Sequence, residues 1–254
     1  METLVVLPTY NEAHTIEEVL RRTRAALPET RILVVDDGSP DGTADLAEKV
    51  ADKVGGVEVM RRTAPAGLGD AYRAGFAWGL EHGAEALFEM DSDLSHDPAA
   101  LPSLLAALQH SDLVIGSRYV PGGSIPQWGI HRRMLSRGGN IYSAVALGVP
   151  VKDMTSGFRA YRASLLREMH LETVRADGYG FQIEMTYRAA RNGARISEVP
   201  IRFVDRELGE SKMSSAIVVE ALRLVTWWGA RRLARAGRDR IRGRAGRRPI
   251  GAGR

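Results

Sequence analysis

The chain has 254 residues, 44% of them apolar and 26% charged, and no cysteine. That is the composition of a globular α/β protein long enough to bury a substantial core, and it excludes disulfides and thiolate metal sites. The net charge of +4 is unevenly placed, because residues 231–254 hold ten Arg against one Asp and the remainder is acidic overall. Such a tail suits anionic lipid or nucleic acid, or is simply a solvated end.

The first apolar run begins almost at Met1, which leaves no room for a secretory signal. No apolar run reaches the roughly 18–20 residues needed to span a bilayer; the last helical stretch is cut by Glu220 and Arg223. A cytoplasmic location is the expectation.

In chain order, Leu4-Val5-Val6-Leu7 reads as a buried strand closed by Pro8. Ile16, Val19 and Leu20 mark one face of a helix. Residues 31–35 form a second buried strand, ending in Asp36-Asp37-Gly38-Ser39-Pro40-Asp41-Gly42, a run dense in turn formers. A helix over 43–53 and a strand near 57–60 follow. Residues 67–82 read as a helix with small residues on one side, and 86–90 as a strand that ends at Asp91. Pro98 suits the first turn of a helix to about 109, and 113–116 is a further strand. This alternation predicts a parallel sheet with helices on both faces, joined by right-handed crossovers. Ligands then bind beyond the carboxyl ends of the strands, where Thr9-Tyr10-Asn11-Glu12, Asp36-Asp37-Gly38 and Asp91-Ser92-Asp93 all fall.

After Arg118 the pattern changes. Residues 118–140 carry Arg118, Arg132, Arg133 and Arg137, no acidic residue, and interleaved Ile125, Trp128, Ile130, Met134 and Leu135. This is a basic, amphipathic excursion of the kind that lies on a membrane surface, or else an ordinary helix packed on the domain. Residues 195–204 read as a last strand and 214–235 as a helix. Its apolar face holds Ile217, Ala221, Leu224 and Trp228, widened by Val218, Leu222 and Val225. Without a clear linker or repeat, one domain is expected.

Two carboxylates at i and i+2 at a strand end can reach one hard cation, and Mg²⁺ or Mn²⁺ sits readily between carboxylates and phosphate oxygens. Asp91 and Asp93 fit that arrangement. The triplet is common in turns, and its weight comes from the apolar strand before it and from Asp36-Asp37 on a neighbouring strand. A carboxylate there can hold a ribose hydroxyl or a base nitrogen; the plainer reading is turn chemistry. No glycine-rich fingerprint follows the first strand, which argues against dinucleotide oxidoreductases and P-loop enzymes. Arg118 should project from the same sheet edge, where a guanidinium matches phosphate, with Arg206 and Lys212 after the last strand.

The segments Val6-Leu7-Pro8-Thr9-Tyr10-Asn11-Glu12, Val35-Asp36-Asp37-Gly38-Ser39 and Met90-Asp91-Ser92-Asp93-Leu94-Ser95-His96 resemble family 2 glycosyltransferases of the GT-A fold. Gly116-Ser117-Arg118-Tyr119, Ser136-Arg137-Gly138-Gly139-Asn140, Asp153-Met154-Thr155-Ser156-Gly157-Phe158-Arg159 and Phe203 through Lys212 narrow the resemblance to the dolichol- or polyprenol-phosphate mannose synthases, over about residues 3–228. The resemblance implies an α/β, Rossmann-like, mostly parallel sheet. Residues 1–212 would be the catalytic domain, with 119–150 as its amphipathic, acceptor- and membrane-facing segment. An amphipathic helix over 213–235 and a basic, disordered tail over 236–254 would follow.

It also implies GDP-mannose as donor, polyprenyl or dolichyl phosphate as acceptor, and Mg²⁺ or Mn²⁺ as cofactor. Pro8, Tyr10, Glu12, Val35 and Asp37 would hold the guanosine part. Asp91, Ser92 and Asp93 would bind nucleotide and metal, with Ser95 a further metal ligand and Ser92 making only a backbone contact. Arg118 and Arg137 would meet the phosphates, and Arg206 and Lys212 would close on the donor. Attachment would be peripheral, on the cytoplasmic face of a membrane or through a membrane-embedded partner, with no specific nucleic acid. The rivals are a UDP-sugar:polyprenyl-phosphate transferase, an inactive membrane-binding scaffold, and nucleic-acid binding through the tail.

Overall fold

The computed structural model describes residues 1–63, 67–205 and 215–245. The first half alternates as expected: β1 (Thr3–Thr9), α1 (Ile16–Ala26), β2 (Arg31–Asp36), α2 (Thr43–Val54), β3 (Val57–Arg61), α3 (Leu68–Glu81), β4 (Ala86–Glu89), α4 (Leu101–Leu108) and β5 (Leu113–Ser117). Then come α5 (Ile130–Leu147), β6 (Arg159–Arg162), α6 (Ala163–Glu168), α7 (Gly178–Arg191), β7 (Ile196–Pro200) and α8 (Ser215–Ala245). The seven strands form one sheet in the order β3-β2-β1-β4-β6-β5-β7.

Strands β1 and β2 bury both faces, which is why they read as continuous apolar runs rather than as alternation. Val5, Leu7, Ile32 and Val34 pack on one side with Ile16 and Leu20 of α1. Leu4, Val6, Leu33 and Val35 pack on the other with Tyr72 and Phe76 of α3. The small residues of α3 serve that second layer. A Cβ added at Gly75 would stand 2.4 Å from a Val6 methyl, and one at Gly79 would stand 2.5 Å from Leu4. The helix therefore lies closer to the sheet than any side chain at those positions permits.

The sequence reading missed β6. It runs antiparallel between β4 and β5, pairing Glu89 with Arg159 on one side and Ile115 with Arg159 on the other. All other neighbouring strands are parallel. Arg159 is fully buried in mid-sheet, where its guanidinium donates to the carbonyls of Met154, Ser156 and Gln182 and to the Thr186 hydroxyl. Those acceptors make a buried cation tolerable.

Two boundaries and one helix face differ from expectation. The last strand is confined to Ile196–Pro200, because only isolated bridges at Arg202 and Phe203 continue it. The last helix runs on to Ala245, well into the segment expected to be disordered. On that helix Ala221 and Val225 are buried as expected, but Leu222 is exposed.

Candidate active site

The parallel pairing of β1 with β2 and β4 brings three polar turns side by side at one sheet edge. They are residues 9–12, 36–43 and 91–96.

The turn after β2 divides its two aspartates. Asp36 is spent on the loop: its carboxylate accepts from the Gly38 and Ser39 amides, the Ser39 hydroxyl and the Thr9 hydroxyl. Asp41 does the same one turn later, accepting from the Thr43 and Ala13 amides, and those bonds hold its pKa low against burial. The Thr43 hydroxyl accepts from the Glu12 amide, which locks the first polar turn onto the second. Asp37 sits beyond this network, 94% buried, with the Arg62 guanidinium 2.8 Å from its carboxylate.

The turn after β4 holds the carboxylate pair. Asp93 is buried and accepts from the Ser95 amide, while Asp91 is about a third exposed at the edge. Leu94, directly after Asp93, has a φ of +63°, a left-handed conformation that a branched apolar residue rarely adopts. The turn is held so by its surroundings. The Ser92 hydroxyl donates to the Pro8 carbonyl at 2.7 Å, a side-chain role beyond the backbone contact expected there. The Ser95 carbonyl accepts from the Val204 amide. His96, buried between Phe158 and Phe203, accepts the Asp91 amide on Nδ1. The Tyr72 hydroxyl donates to the Asp91 carboxylate from below at 3.3 Å.

His96 and Tyr72 were not singled out from sequence, and neither was Glu89. Two residues before Asp91, Glu89 is fully buried beside Arg159, Gln182 and Tyr161. Burial pushes its pKa up to about 7, with the Asp91 charge adding to the rise and Arg159 opposing it. The only sequence signal was an acidic residue inside an apolar strand.

Asp91, Asp93 and the Ser95 hydroxyl offer a purely oxygen donor set, and among the described residues no group of three His, Asp or Glu encloses a cation. That set suits a hard divalent ion whose remaining positions are filled by phosphate oxygens and water.

The cations divide differently from expectation. Arg118 follows β5 at the same edge, but it is 94% buried and its guanidinium is occupied. It grips the fully buried Asp153 through Nε at 2.8 Å and one terminal nitrogen at 2.7 Å, and also donates to Thr155. The pair holds the Asp153 pKa low against burial and the Arg118 pKa high. Arg118 is thus an anchor for the loop that carries Asp153, and its ring neighbours Tyr119, Trp128 and Phe203 close over it. Arg137 lies on α5, exposed and in no ion pair among the described residues. Arg206 and Lys212 lie outside the described residues.

A mostly parallel seven-stranded sheet with flanking helices and a braced carboxylate pair at its edge is the architecture of GT-A-type glycosyltransferases. The chain belongs to glycosyl transferase family 2, whose model matches residues 4–169. It is 53% identical to the undecaprenyl-phosphate mannosyltransferase of Micrococcus luteus over 90% of this chain and 94% of that one. It is 51% identical to the polyprenol monophosphomannose synthase of Mycolicibacterium smegmatis over 92% of this chain and 89% of that one. The fold is shared with glucosyl-3-phosphoglycerate synthase from Mycobacterium tuberculosis, solved with Mn²⁺ and UDP, at a TM-score of 0.66 and 22% identity over 90% of this chain and 80% of that one.

Proposed function

We propose that this glycosyltransferase moves mannose from GDP-mannose to a polyprenyl phosphate with inversion, giving a β-linked polyprenyl phosphate mannose. One observation carries the reading. The Asp91-Ser92-Asp93 turn is built and braced at the sheet edge of a chain more than half identical to two polyprenyl-phosphate mannosyltransferases over most of their length. The product would be a lipid-linked mannose donor, made on the cytoplasmic face of a membrane.

In this reading Pro8, Tyr10, Glu12, Val35 and Asp37 line the guanosine side, and the Asp36 and Asp41 turns keep that side in shape. Asp91, Asp93 and Ser95 would hold Mg²⁺ or Mn²⁺, which supplies Lewis-acid charge to the departing diphosphate. Tyr72 and His96 fix the Asp91 carboxylate and backbone. On the other side Arg137 offers an uncommitted cation to the acceptor phosphate, and the Arg118–Asp153 pair keeps that wall in place. Arg206 and Lys212 are the further cations assigned to the donor phosphates. The attacking phosphate oxygen is ionised at neutral pH, so no strong general base is needed. What the chain must do is align two anions that repel one another.

The test is an assay of GDP-mannose and polyprenyl phosphate with Mg²⁺, Mn²⁺ or chelator, run against UDP-glucose and UDP-N-acetylglucosamine. A metal-dependent mannolipid is expected. A lipid product formed only from a UDP-sugar would overturn the donor assignment.

A further inference from the structure

Gly157 stands two residues before β6, half-buried and without a left-handed φ. A Cβ placed there would lie 3.5 Å from the Gln182 amide nitrogen and 3.7 Å from each Asp91 carboxylate oxygen. Those are ordinary contact distances, so the fold itself does not require a glycine at this position. What the glycine does is keep open a space, one methyl group deep, between Gln182 and the exposed part of Asp91. Gln182, on α7, is 98% buried. Its amide oxygen and nitrogen make no hydrogen bond of normal geometry among the described residues, although the Glu89 carboxylate lies beside it. An unpaired buried amide destabilises a fold, and a group kept at such a cost points to function.

The walls of this space are held in fixed relation. The buried Arg159 guanidinium donates to the Met154 and Ser156 carbonyls on the Gly157 loop, and to the Gln182 carbonyl and the Thr186 hydroxyl on α7. One cation thus clamps both walls. Phe181, next to Gln182, stacks on Tyr72 with ring centroids 6.0 Å apart, and Tyr72 donates to Asp91. At the start of α7, the Asp177 carboxylate accepts the Gly69 amide of α3 at 2.6 Å. Gln182 is therefore set against Asp91 from the loop side and from the helix side, as a recognition group must be.

We infer that Gln182 and the space kept by Gly157 form a subsite for one hydroxyl of the donor sugar, and so select the sugar rather than the nucleotide. The inference rests on the proposed role of Asp91 in holding the donor diphosphate, and deepens it. Sheet order places the subsite. The proposed guanosine side lies at β1 and β2, on one side of β4, whereas Gly157 leads into β6 on the other side. With the diphosphate at Asp91, the part of the donor that reaches across β4 away from the base is the sugar. The chemistry agrees. A side-chain amide both donates and accepts, as a hydroxyl does, and the neighbouring Asp91 carboxylate disfavours a second anion at the same point.

The test compares Gly157→Ala and Gln182→Met with the wild type, all as the full chain. Neither substitution should lower the thermal midpoint, since the alanine meets only ordinary contacts and the methionine removes an unpaired buried amide. GDP affinity in the presence of Mn²⁺, measured by calorimetry, should stay within about twofold of the wild type. The kcat/KM for GDP-mannose should fall about a hundredfold in each variant. GDP-mannose analogues that each lack one sugar hydroxyl then locate the contact. On one of them the wild type should lose as much as Gln182→Met loses on GDP-mannose, and the two proteins should there be equal. Undiminished transfer by Gln182→Met would overturn the inference, as would a matching loss of GDP affinity or an equal loss on every analogue. Wild-type transfer from a UDP-sugar alone would remove the GDP-mannose reading, and the same two substitutions lowering that transfer would leave the hydroxyl subsite standing.

Discussion

The proposed donor edge and the proposed acceptor side of this site are assembled by different means. On the donor edge each turn combines short-range caps with long-range braces: Asp36, Asp41 and Asp93 accept from amides two or three residues away, while Glu12 bonds Thr43 and Ser92 bonds Pro8 across the chain. On the acceptor side the contacts span the chain. Arg118 meets Asp153 across 35 residues, and Trp128 and Arg132 both bond Asp205, more than 70 residues on. A turn held by many separate bonds keeps its shape when one edge carboxylate is removed. A wall built of a buried long-range ion pair does not survive loss of one partner so easily.

Substitutions can break or sharpen that contrast. The largest effect is expected from Asp91→Ala, which should lower kcat by about a thousandfold or more while leaving the thermal midpoint nearly unchanged. A comparable loss of both would show that the donor turn is structural as well. Next is Arg118→Ala, which strands the Asp153 carboxylate in the interior and should cost about 3–5 kcal/mol of stability, measured by urea unfolding. Arg137→Ala, by contrast, should leave stability alone and raise KM for the lipid acceptor about tenfold. If the two arginine variants behave alike, the division between anchor and ligand is wrong.

A smaller effect concerns Glu89, whose pKa is raised by burial to about 7 from an ordinary 4.5. The folded state then binds more protons than the unfolded one between those values. Its contribution is therefore fully present below about pH 4.5 and is lost as pH rises through 7. Unfolding of the metal-free protein should show wild-type stability falling relative to Glu89→Gln across that window. A pH-independent difference would show that Glu89 does not titrate there.

The donor half could be read from sequence because its signals are local. An apolar run of four or five residues followed by Asp-Asp-Gly-Ser or Asp-Ser-Asp makes strand and turn visible together. Strand β6 had no such signal. Arg159-Ala160-Tyr161-Arg162 looks like surface, and its central place rests on acceptors as far away as Gln182 and Thr186. Helix α5 was legible as amphipathic, but spacing cannot tell which face looks inward. That is settled by Ser136 and Asn140 meeting Tyr119, Met154 and Thr155. Arg118 was placed at the right edge from its position after β5. Its partner could not be read, because Asp153 lies on a loop that returns only after α5.

The insertion of β6 between β4 and β5 has a consequence for how the chain is made. Strand β5 leaves the ribosome before the strand that must separate it from β4. For the intervening 40-odd residues the emerging sheet holds two unsatisfied strand edges that can pair with each other in parallel. Non-local strand pairing of this kind is slow, and a nascent chain that joined β4 to β5 directly would have to open again to admit Arg159. The slowest productive step in folding is therefore expected to be admission of the Arg159 strand, long after the Asp36 and Asp41 turns have closed.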